Sequence, residues 1–163
     1  MNTKKTFVLF GLLRISLGLV FLWAFFDKVF GLGFATAADR SWLAGVSPTF
    51  GFLSQGTRGP FAPLYQSIAG NMAVDWLFML GLLLVGVCLI LGIAMRLSGY
   101  AGALLMLLIW GAAFPPEHHP VLDEHIIYAF LLLLFIFANA GRCLGFGKQW
   151  EEAALIRRLP FLK

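Results

Sequence analysis

Ionisable side chains are concentrated near residue 120 of a chain that is otherwise poor in charge. Six of them lie within nine positions: Glu117, His118, His119, Asp123, Glu124 and His125. Asp123 precedes an apolar run and suits the N-cap of a helix, where its carboxylate accepts backbone N–H bonds. His125 and Tyr128 then share one helix face, where an imidazole and a phenol can hydrogen-bond a quinone carbonyl and move its protons. We therefore predict a catalytic group made of Asp123, Glu124, His125 and Tyr128.

The same cluster has two other interpretations. Imidazole and carboxylate groups are suitable ligands for a divalent metal, but the stretch has no recognised spacing such as H-x-x-x-H, and we predict no metal site. Helix capping combined with solvated charge is the simpler alternative. For a bound cofactor we expect contacts from Lys28, His118 and His119. Asp27 and Asp75 lie at the same level and either complete the site or mark the membrane boundary.

Arg14 lies inside an apolar run, where a charged side chain costs at least about 2.5 kcal/mol unless it is paired or hydrated. At about 100° per residue, Arg14 falls on the same helix face as Lys28, and this face is expected to point to the protein interior. We predict a cofactor or proton-path role for Arg14, with Arg14→Leu altering ligand binding more than folding. The alternatives are that Arg14 extends to the cytoplasmic headgroups or caps carbonyls of a broken neighbouring helix.

The composition predicts the helices that position these residues. Of 163 residues, 60% are apolar and 12% are charged, against roughly 25% charged in a soluble domain. Four apolar runs can each cross a hydrocarbon core of about 30 Å, and they cover residues 6–26, 74–95, 97–114 and 123–140. Despite a pI of 9.4, this pattern excludes a water-soluble enzyme, a disordered chain and a nucleic-acid binder. It predicts a single all-α domain, an integral membrane four-helix bundle packed through small residues such as Gly99 and Ala103.

The distribution of Lys and Arg predicts the orientation of this bundle. One side collects eight of them, whereas the other side has only Lys28, Arg40 and Arg58. Both termini are therefore expected in the cytoplasm. Residues 31–73 are predicted to form a structured extracytoplasmic cap with one or two short helices, the clearest within 60–70. Residues 141–163 are predicted to form an amphipathic cytoplasmic tail on the inner leaflet.

The sequence contains two cysteines, Cys88 and Cys143. Two thiols are too few for a disulfide framework or a four-thiolate metal site, and we expect both to be reduced. The sequence has no C-x-x-C-H motif and no histidine deep inside an apolar run. No haem or iron–sulfur cluster is therefore expected.

Seven motifs spread over nearly the whole chain resemble those of a known family. They are KVFGLGFAT (28–36), SPTFGFL (47–53), GPFA (59–62), DWLFMLGL (75–82), LGIAMR (91–96), PVLDEH (120–125) and AGR (140–142). Together they resemble the DoxX/DoxD family, most closely the members described as large subunits of a thiosulfate dehydrogenase (quinone). The resemblance implies a four-helix protein of a bacterial or archaeal cytoplasmic membrane, which oxidises thiosulfate to tetrathionate and passes electrons to quinone. It also implies a second subunit on a separate chain, and for other members a partnership with superoxide dismutase and sulfurtransferase.

Two functions are left open by these features. In the first, the chain is the membrane subunit of a quinone-linked redox system, and its partners are quinone, membrane lipid, a small sulfur oxyanion and a second subunit. In the second, the chain is a non-catalytic anchor that docks a soluble redox or sulfurtransferase protein on its tail. A third and weaker option is a small transporter that uses Arg14 as the counter-charge of its substrate.

Overall fold

The computed structural model describes residues 3–158, which form helices and turns without a β-strand. The longer helices are α1 (Thr3–Phe30), α3 (Met72–Leu91), α4 (Met95–Ala112) and α5 (Glu124–Phe137), and the short ones are α2 (Ala62–Ser67), α6 (Gly147–Glu152) and α7 (Ala154–Arg158). Turns of 3₁₀ helix lie at Ala38–Arg40, Trp42–Ala44 and Ala140–Arg142, and a π-helix lies at Phe52–Gly56. The described part of the chain is all-α, as predicted.

Three helices are long and apolar enough to cross a membrane, namely Lys5–Phe30 within α1, α3 and α4. They indicate a multi-pass membrane protein. Helix α5 is also apolar but has 14 residues, which correspond to about 21 Å at 1.5 Å per residue. It ends at Phe137 instead of residue 140, because Asn139 takes a left-handed backbone conformation with φ of 49°.

The α3–α4 turn lies earlier in the chain than predicted. Helix α3 ends at Leu91 because Gly92 is left-handed (φ 73°) and its N–H donates to the carbonyl of Cys88 at 2.8 Å, a common way to end a helix. Helix α4 begins at Met95, after Ala94, whose φ of 47° is also left-handed. The turn consists of Gly92, Ile93 and Ala94, and α3 packs directly on α4. The two helices therefore form an antiparallel hairpin, whose helix ends are shifted from those of the apolar runs.

Small residues let the helices approach one another closely in the order α1, α3, α4, α5. A Cβ atom on Gly18 of α1 would lie 3.1 Å from the carbonyl oxygen of Gly86 of α3. A Cβ atom on Gly99 of α4 would lie 2.6 Å from Ile136 Cγ1 of α5. These contacts confirm the prediction that the helices pack through small residues. Between them the interior is filled by Leu17, Phe21, Met79, Leu89, Leu132 and Phe135.

Large apolar side chains also cover the outside of the helices. Leu12 of α1, Leu77 of α3, Leu104 of α4 and Phe130 of α5 all have more than half of their surface exposed. A soluble monomer rarely exposes contiguous apolar surface of this kind. These outer faces are therefore suited to contact with lipid tails.

The segment between α1 and α3 folds back onto the helix ends. Asp27 of α1, which is 1% exposed, accepts the backbone N–H groups of Phe34 at 3.2 Å and Ala35 at 3.0 Å. Helix α2 lies within the stretch where a short helix was predicted, and its Tyr65 hydroxyl donates to the carbonyl of Leu108 on α4 at 2.8 Å. The segment is therefore attached to α1 at one end and to α4 at the other.

Asp75 attaches the same segment to α3, and its loss should be measurable. Its buried carboxylate accepts the hydroxyl of Ser47 at 2.8 Å and the hydroxyl of Thr49. Asp75→Ala is expected to lower the free energy of unfolding by about 2 kcal/mol, because two hydroxyls lose their acceptor. Thermal unfolding in detergent and limited proteolysis of residues 45–57 would measure this.

A control for Asp75→Ala is Ser67→Ala, which removes an exposed hydroxyl bonded to the carbonyl of Leu64. This control should change stability by less than about 0.5 kcal/mol. Wild-type stability and protease resistance in Asp75→Ala would show that other contacts hold the segment.

Residues after α5 fold against the end of the helices. Ile156 of α7 is buried, whereas Arg157 and Arg158 are exposed. The described part of the predicted tail thus has a buried side and a charged side. Its last residues, 159–163, lie outside the described residues.

Candidate functional site

Asp123 and His125 form a hydrogen-bonded pair at the start of α5. Asp123 is the N-cap, and its Oδ1 accepts the backbone N–H groups of His125 at 3.0 Å and Ile126 at 3.2 Å. The predicted capping role of Asp123 is therefore confirmed. Its second oxygen, Oδ2, lies 2.9 Å from Nδ1 of the His125 ring. One carboxylate thus begins the helix and also orients the imidazole.

The Asp123 contact determines which nitrogen of His125 can act on a ligand. An ionised carboxylate only accepts hydrogen bonds, so Nδ1 carries the proton in this pair. Nε2 is then left to accept a proton, or to donate one when the ring is positively charged. The side chain of His125 is 24% exposed and that of Asp123 is 12% exposed. A ligand can therefore reach the ring, while the carboxylate is largely shielded.

Tyr128 lies one helical turn beyond His125 on the same face of α5. Its ring is half-buried and packs against the hydrophobic core. The phenol has no hydrogen-bond partner within the described part of the chain. It can therefore donate to a ligand that also contacts His125.

Glu124 completes the group predicted to be catalytic. It is exposed in the first turn of α5, and its carboxylate, that of Asp123 and the His125 ring have ligand atoms within 4.8 Å of one another. Both oxygens of Asp123 and Nδ1 of His125 already take part in hydrogen bonds. This geometry favours a capped helix with an oriented imidazole.

The two remaining histidines differ in their surroundings. Nδ1 of His119 accepts the backbone N–H groups of Val121 at 3.1 Å and Leu122 at 2.8 Å, so the neutral ring carries its proton on Nε2. His119 therefore shapes the loop before α5, and only its Nε2–H is left for a ligand. His118 is exposed, with no hydrogen bond to another described residue.

The segment before α3 covers this loop through contacts that the sequence analysis did not identify. Arg58 Nη2 lies 3.0 Å from the Glu117 carboxylate, and both side chains are exposed. From α4, Trp110 Nε1 also donates to the carbonyl of Val121 in this loop, at 2.8 Å. Burial raises the pKa of the nearby Tyr65 phenol, so its hydroxyl stays protonated as a donor. The abundance of Phe, Trp, Gly and Pro in residues 31–73 was the one sequence signal of this cover.

Lys28 lies on the α1–α3 side of the same end of the molecule. Its Nζ is 5.8 Å from the ring centroid of Phe78 on α3, a cation–π geometry. Neighbouring Asp27 is engaged by backbone N–H groups, and Asp75 by hydroxyls. These two carboxylates attach the covering segment to α1 and α3. Among the described residues 3–158, Lys28 has no contact with His125.

Arg14 lies at the opposite end of the helices and is completely buried, with 0% exposure. The predicted interior position is confirmed. Its five N–H donors all bond to backbone carbonyls, those of Leu89, Ile90, Ala140, Cys143 and Leu144. A guanidinium has five donors in all, so none is left for a cofactor. The geometry therefore favours the alternative that Arg14 caps carbonyls of neighbouring segments.

Glycines allow the backbone to surround Arg14. A Cβ atom on Gly92 would lie 2.5 Å from the carbonyl oxygen of Gly141, and one on Gly145 would lie 2.8 Å from Arg14 Nη2. The AGR and LGIAMR motifs thus meet at this residue. Cys143 beside it is a buried free cysteine, and Cys88 is a half-buried one. That both are reduced stays a prediction.

The structure thus brings Asp123, Glu124, His125 and Tyr128 together, and separates Arg14 from them by the length of the helices. No family model matches this chain, and no curated protein or solved structure is significantly similar to it.

Proposed function

We propose that the protein is the membrane subunit of a quinone-linked redox system that oxidises thiosulfate. The observation that carries this proposal is the Asp123–His125 pair, with its Nδ1–Oδ2 distance of 2.9 Å and with Tyr128 one turn further along α5. A half-buried imidazole backed by a carboxylate, next to a free phenol, is suited to proton transfer. His125 and Tyr128 lie between the apolar outer face of α5, which is suited to contact with lipid, and the loop 115–122, which is open to water.

Each residue of the group has a role in this proposal. A quinone is the acceptor of two electrons and two protons. Asp123 stabilises the positively charged ring of His125, so that Nε2–H is the proton donor. Tyr128 donates a hydrogen bond and orients the ligand, while exposed Glu124 returns protons from water to His125.

The electron balance needs no metal relay. Two thiosulfate anions lose one electron each and join through a new S–S bond as tetrathionate. The two electrons and two protons are consumed when one quinone becomes quinol. Lys28 supplies the positive charge that attracts the sulfur oxyanion from water.

The proposal includes the arrangement of the chain in the membrane. α5 and the 3₁₀ turn at Ala140–Arg142 act as a fourth span, so that four helices form an antiparallel bundle. Residues 31–73 form the extracytoplasmic cap, and both termini lie in the cytoplasm of a bacterial or archaeal cell. The exposed apolar surface of α5 and the Lys and Arg distribution support this arrangement. We propose membership of the DoxX/DoxD family on the seven motifs.

The orientation can be tested with reporter fusions in a bacterial host. Alkaline phosphatase fused after Lys163 is expected to be inactive, because the excess of Lys and Arg holds this end in the cytoplasm. The same enzyme inserted in the loop 115–122 is expected to be active. The reverse pair of activities would place His125 at the cytoplasmic side and contradict an outer site.

The function itself is tested by thiosulfate-dependent reduction of a soluble quinone by the purified protein. Quinone binding, measured by fluorescence quenching of the tryptophans, is the second readout, because the resemblance implies a separate second subunit. Turnover supports the full proposal, and quinone binding without turnover supports a subunit that needs its partner. Absence of both would refute the redox function.

The anchor function remains the second proposal. The exposed Lys148, Arg157 and Arg158 of α6 and α7 form a basic surface on which an acidic soluble redox or sulfurtransferase protein can dock. A stable complex of the tail with such a partner, in a protein that does not bind quinone, would favour this function.

A further inference from the structure

The chain folds back along the outside of α1 directly after that helix ends. Asp27, which is 1% exposed, accepts the backbone N–H groups of Phe34 at 3.2 Å and Ala35 at 3.0 Å. These bonds hold residues 31–35, the α1 turn, against the helix. The Phe34 ring meets the indole of Trp23 edge-on, with ring centroids 4.9 Å apart. We propose that the α1 turn inserts the Phe34 side chain into the acyl chains of the lipid leaflet on the His125 side.

The exposure of Phe34 is hard to reconcile with a position in water. Its side chain is 74% exposed, and Trp23, on which it packs, is itself 48% exposed. Single exposed apolar residues are common on proteins, but here a buried carboxylate holds an aromatic ring on the outer side of a helix. Burying a carboxylate is costly unless hydrogen bonds compensate. Contact of the ring with lipid gives this arrangement a favourable free energy that contact with water does not.

Phe34 extends an apolar face of α1 that is already suited to lipid. Large side chains at intervals of three, four or seven residues lie along this face, each at least 40% exposed: Leu12, Leu19, Trp23, Phe26 and Phe30. The last two of them stack, with ring centroids 6.2 Å apart. Residues 29–38 carry no charged side chain. The apolar surface therefore continues from the helix onto the α1 turn.

The length of α1 places the Trp23–Phe34 contact at the edge of the hydrocarbon layer. The apolar part of α1 has 26 residues, about 39 Å, which exceeds a hydrocarbon core of about 30 Å by about 9 Å. Trp23 lies about 10 Å before the end of the helix at Phe30. It thus reaches the hydrocarbon layer even when the whole excess extends on this side. Tryptophan is typical of this level, and Phe34 lies beside it.

The rest of the covering segment favours lipid over a protein partner. In residues 31–73 only Asp39, Arg40 and Arg58 are charged. The first two are exposed and follow Phe34 by five and six residues, so an apolar part beside α1 is followed by a charged part, as expected at a lipid–water interface. A surface for a soluble partner has a polar rim around its apolar centre. The apolar surface at Phe34 instead runs on into the outer face of α1.

This lipid contact is independent of the proposed redox site. The hydrogen bonds and ring contact that carry it belong to Asp27, Trp23 and Phe34, and none of them involves His125 or Tyr128. The contact holds the α1 end of the covering segment at the membrane whether or not the protein binds quinone. Failure of one proposal therefore leaves the other standing.

The test measures depth with a nitroxide spin label on a cysteine at position 34 of the full-length protein in phosphatidylcholine vesicles. Oxygen concentrates in hydrocarbon and a polar nickel chelate stays in water, so the ratio of their collision rates with the label reports depth. For Phe34→Cys this ratio is expected to be at least about tenfold higher than for Arg40→Cys, because a polar complex enters an apolar layer only at high cost. Leu19→Cys, on the lipid-suited face of α1, is the lipid reference.

The protein without an added cysteine gives the background from Cys88 and Cys143, which is subtracted. A ratio at position 34 equal to that of Arg40→Cys would overturn the proposal, because the label would lie in water. Low collision rates with both reagents would show that protein covers this position. That result would replace lipid by a second copy or another subunit.

Asp27→Asn, combined with Phe34→Cys, tests what holds the α1 turn in place. The amide has one acceptor oxygen, so one of the two backbone N–H groups loses its partner. The collision ratio at position 34 is then expected to fall toward that of Arg40→Cys. Asp39→Asn makes the same change at an exposed carboxylate and should leave the ratio unchanged. An unchanged ratio in Asp27→Asn would overturn the role of Asp27 in positioning Phe34.

Discussion

His125→Ala is expected to lower thiosulfate-dependent quinone reduction by at least about 100-fold, and up to about 10⁴-fold, the range for loss of a general acid or base. The reason is the geometry of the ring, in which Asp123 holds Nδ1 and directs Nε2 outward. The effect should fall on kcat, because proton transfer is lost while the Tyr128 phenol can still hydrogen-bond the ligand. Turnover is measured with the complete enzyme, including the second subunit where it is required.

The variant itself should remain folded. Asp123 caps α5 through backbone N–H groups, including that of Ile126, and these bonds do not depend on the imidazole. Ser67→Ala is the control, because it removes an exposed hydroxyl outside the proposed site and should keep turnover within about twofold of wild type. Wild-type turnover in His125→Ala would falsify the assignment of this residue.

Tyr128→Phe, combined with His125→Ala, separates the two proposed functions. The double variant is expected to lose quinone binding as well as turnover, since both polar contacts with the ligand are gone. A folded double variant that binds quinone as wild type does would favour the anchor function. Asp123, Glu124 and His125 would then be reduced to helix capping and solvated charge at the membrane edge.

The capping geometry of α5 could be predicted because it is local. Asp123, His125 and Ile126 lie within four positions, and an Asp before an apolar run suits only a few backbone conformations. The long apolar helices were equally predictable from run length. Their exact ends were not, because Gly92 and Ala94 both turn left-handed, and a left-handed alanine has no sequence signal.

The partners of Arg14 show the opposite case. Its burial follows from the helix face that it shares with Lys28, but the carbonyls it contacts lie far away, that of Leu89 by 75 residues and that of Cys143 by 129. Every residue type has a backbone carbonyl, so no sequence pattern reveals one as a partner. The sequence therefore offered a ligand as the counterpart of the charge. Arg58 and Glu117, 59 residues apart, were missed for the same reason of distance.

Arg14→Leu is expected to destabilise the protein by about 3 kcal/mol or more, because buried carbonyls lose their donors and each unsatisfied group costs about 1 to 3 kcal/mol. This expectation reverses the one from sequence alone, in which ligand binding changes more than folding. The segment after α5 should detach first, since three of the five carbonyls, including that of Ala140, belong to it. Thermal unfolding and limited proteolysis of residues 138–158 measure the two effects.

Arg14→Lys distinguishes the number of hydrogen bonds from the charge. An ammonium has three donors against five, so the variant keeps the charge and satisfies at most three carbonyls, and its stability should lie between that of wild type and Arg14→Leu. Lys5→Leu removes an exposed charge from the same helix and should leave stability within about 0.5 kcal/mol of wild type. If Arg14→Leu were as stable as wild type but no longer bound quinone, Arg14 would be a ligand contact, and the five carbonyls would not be what keeps it buried.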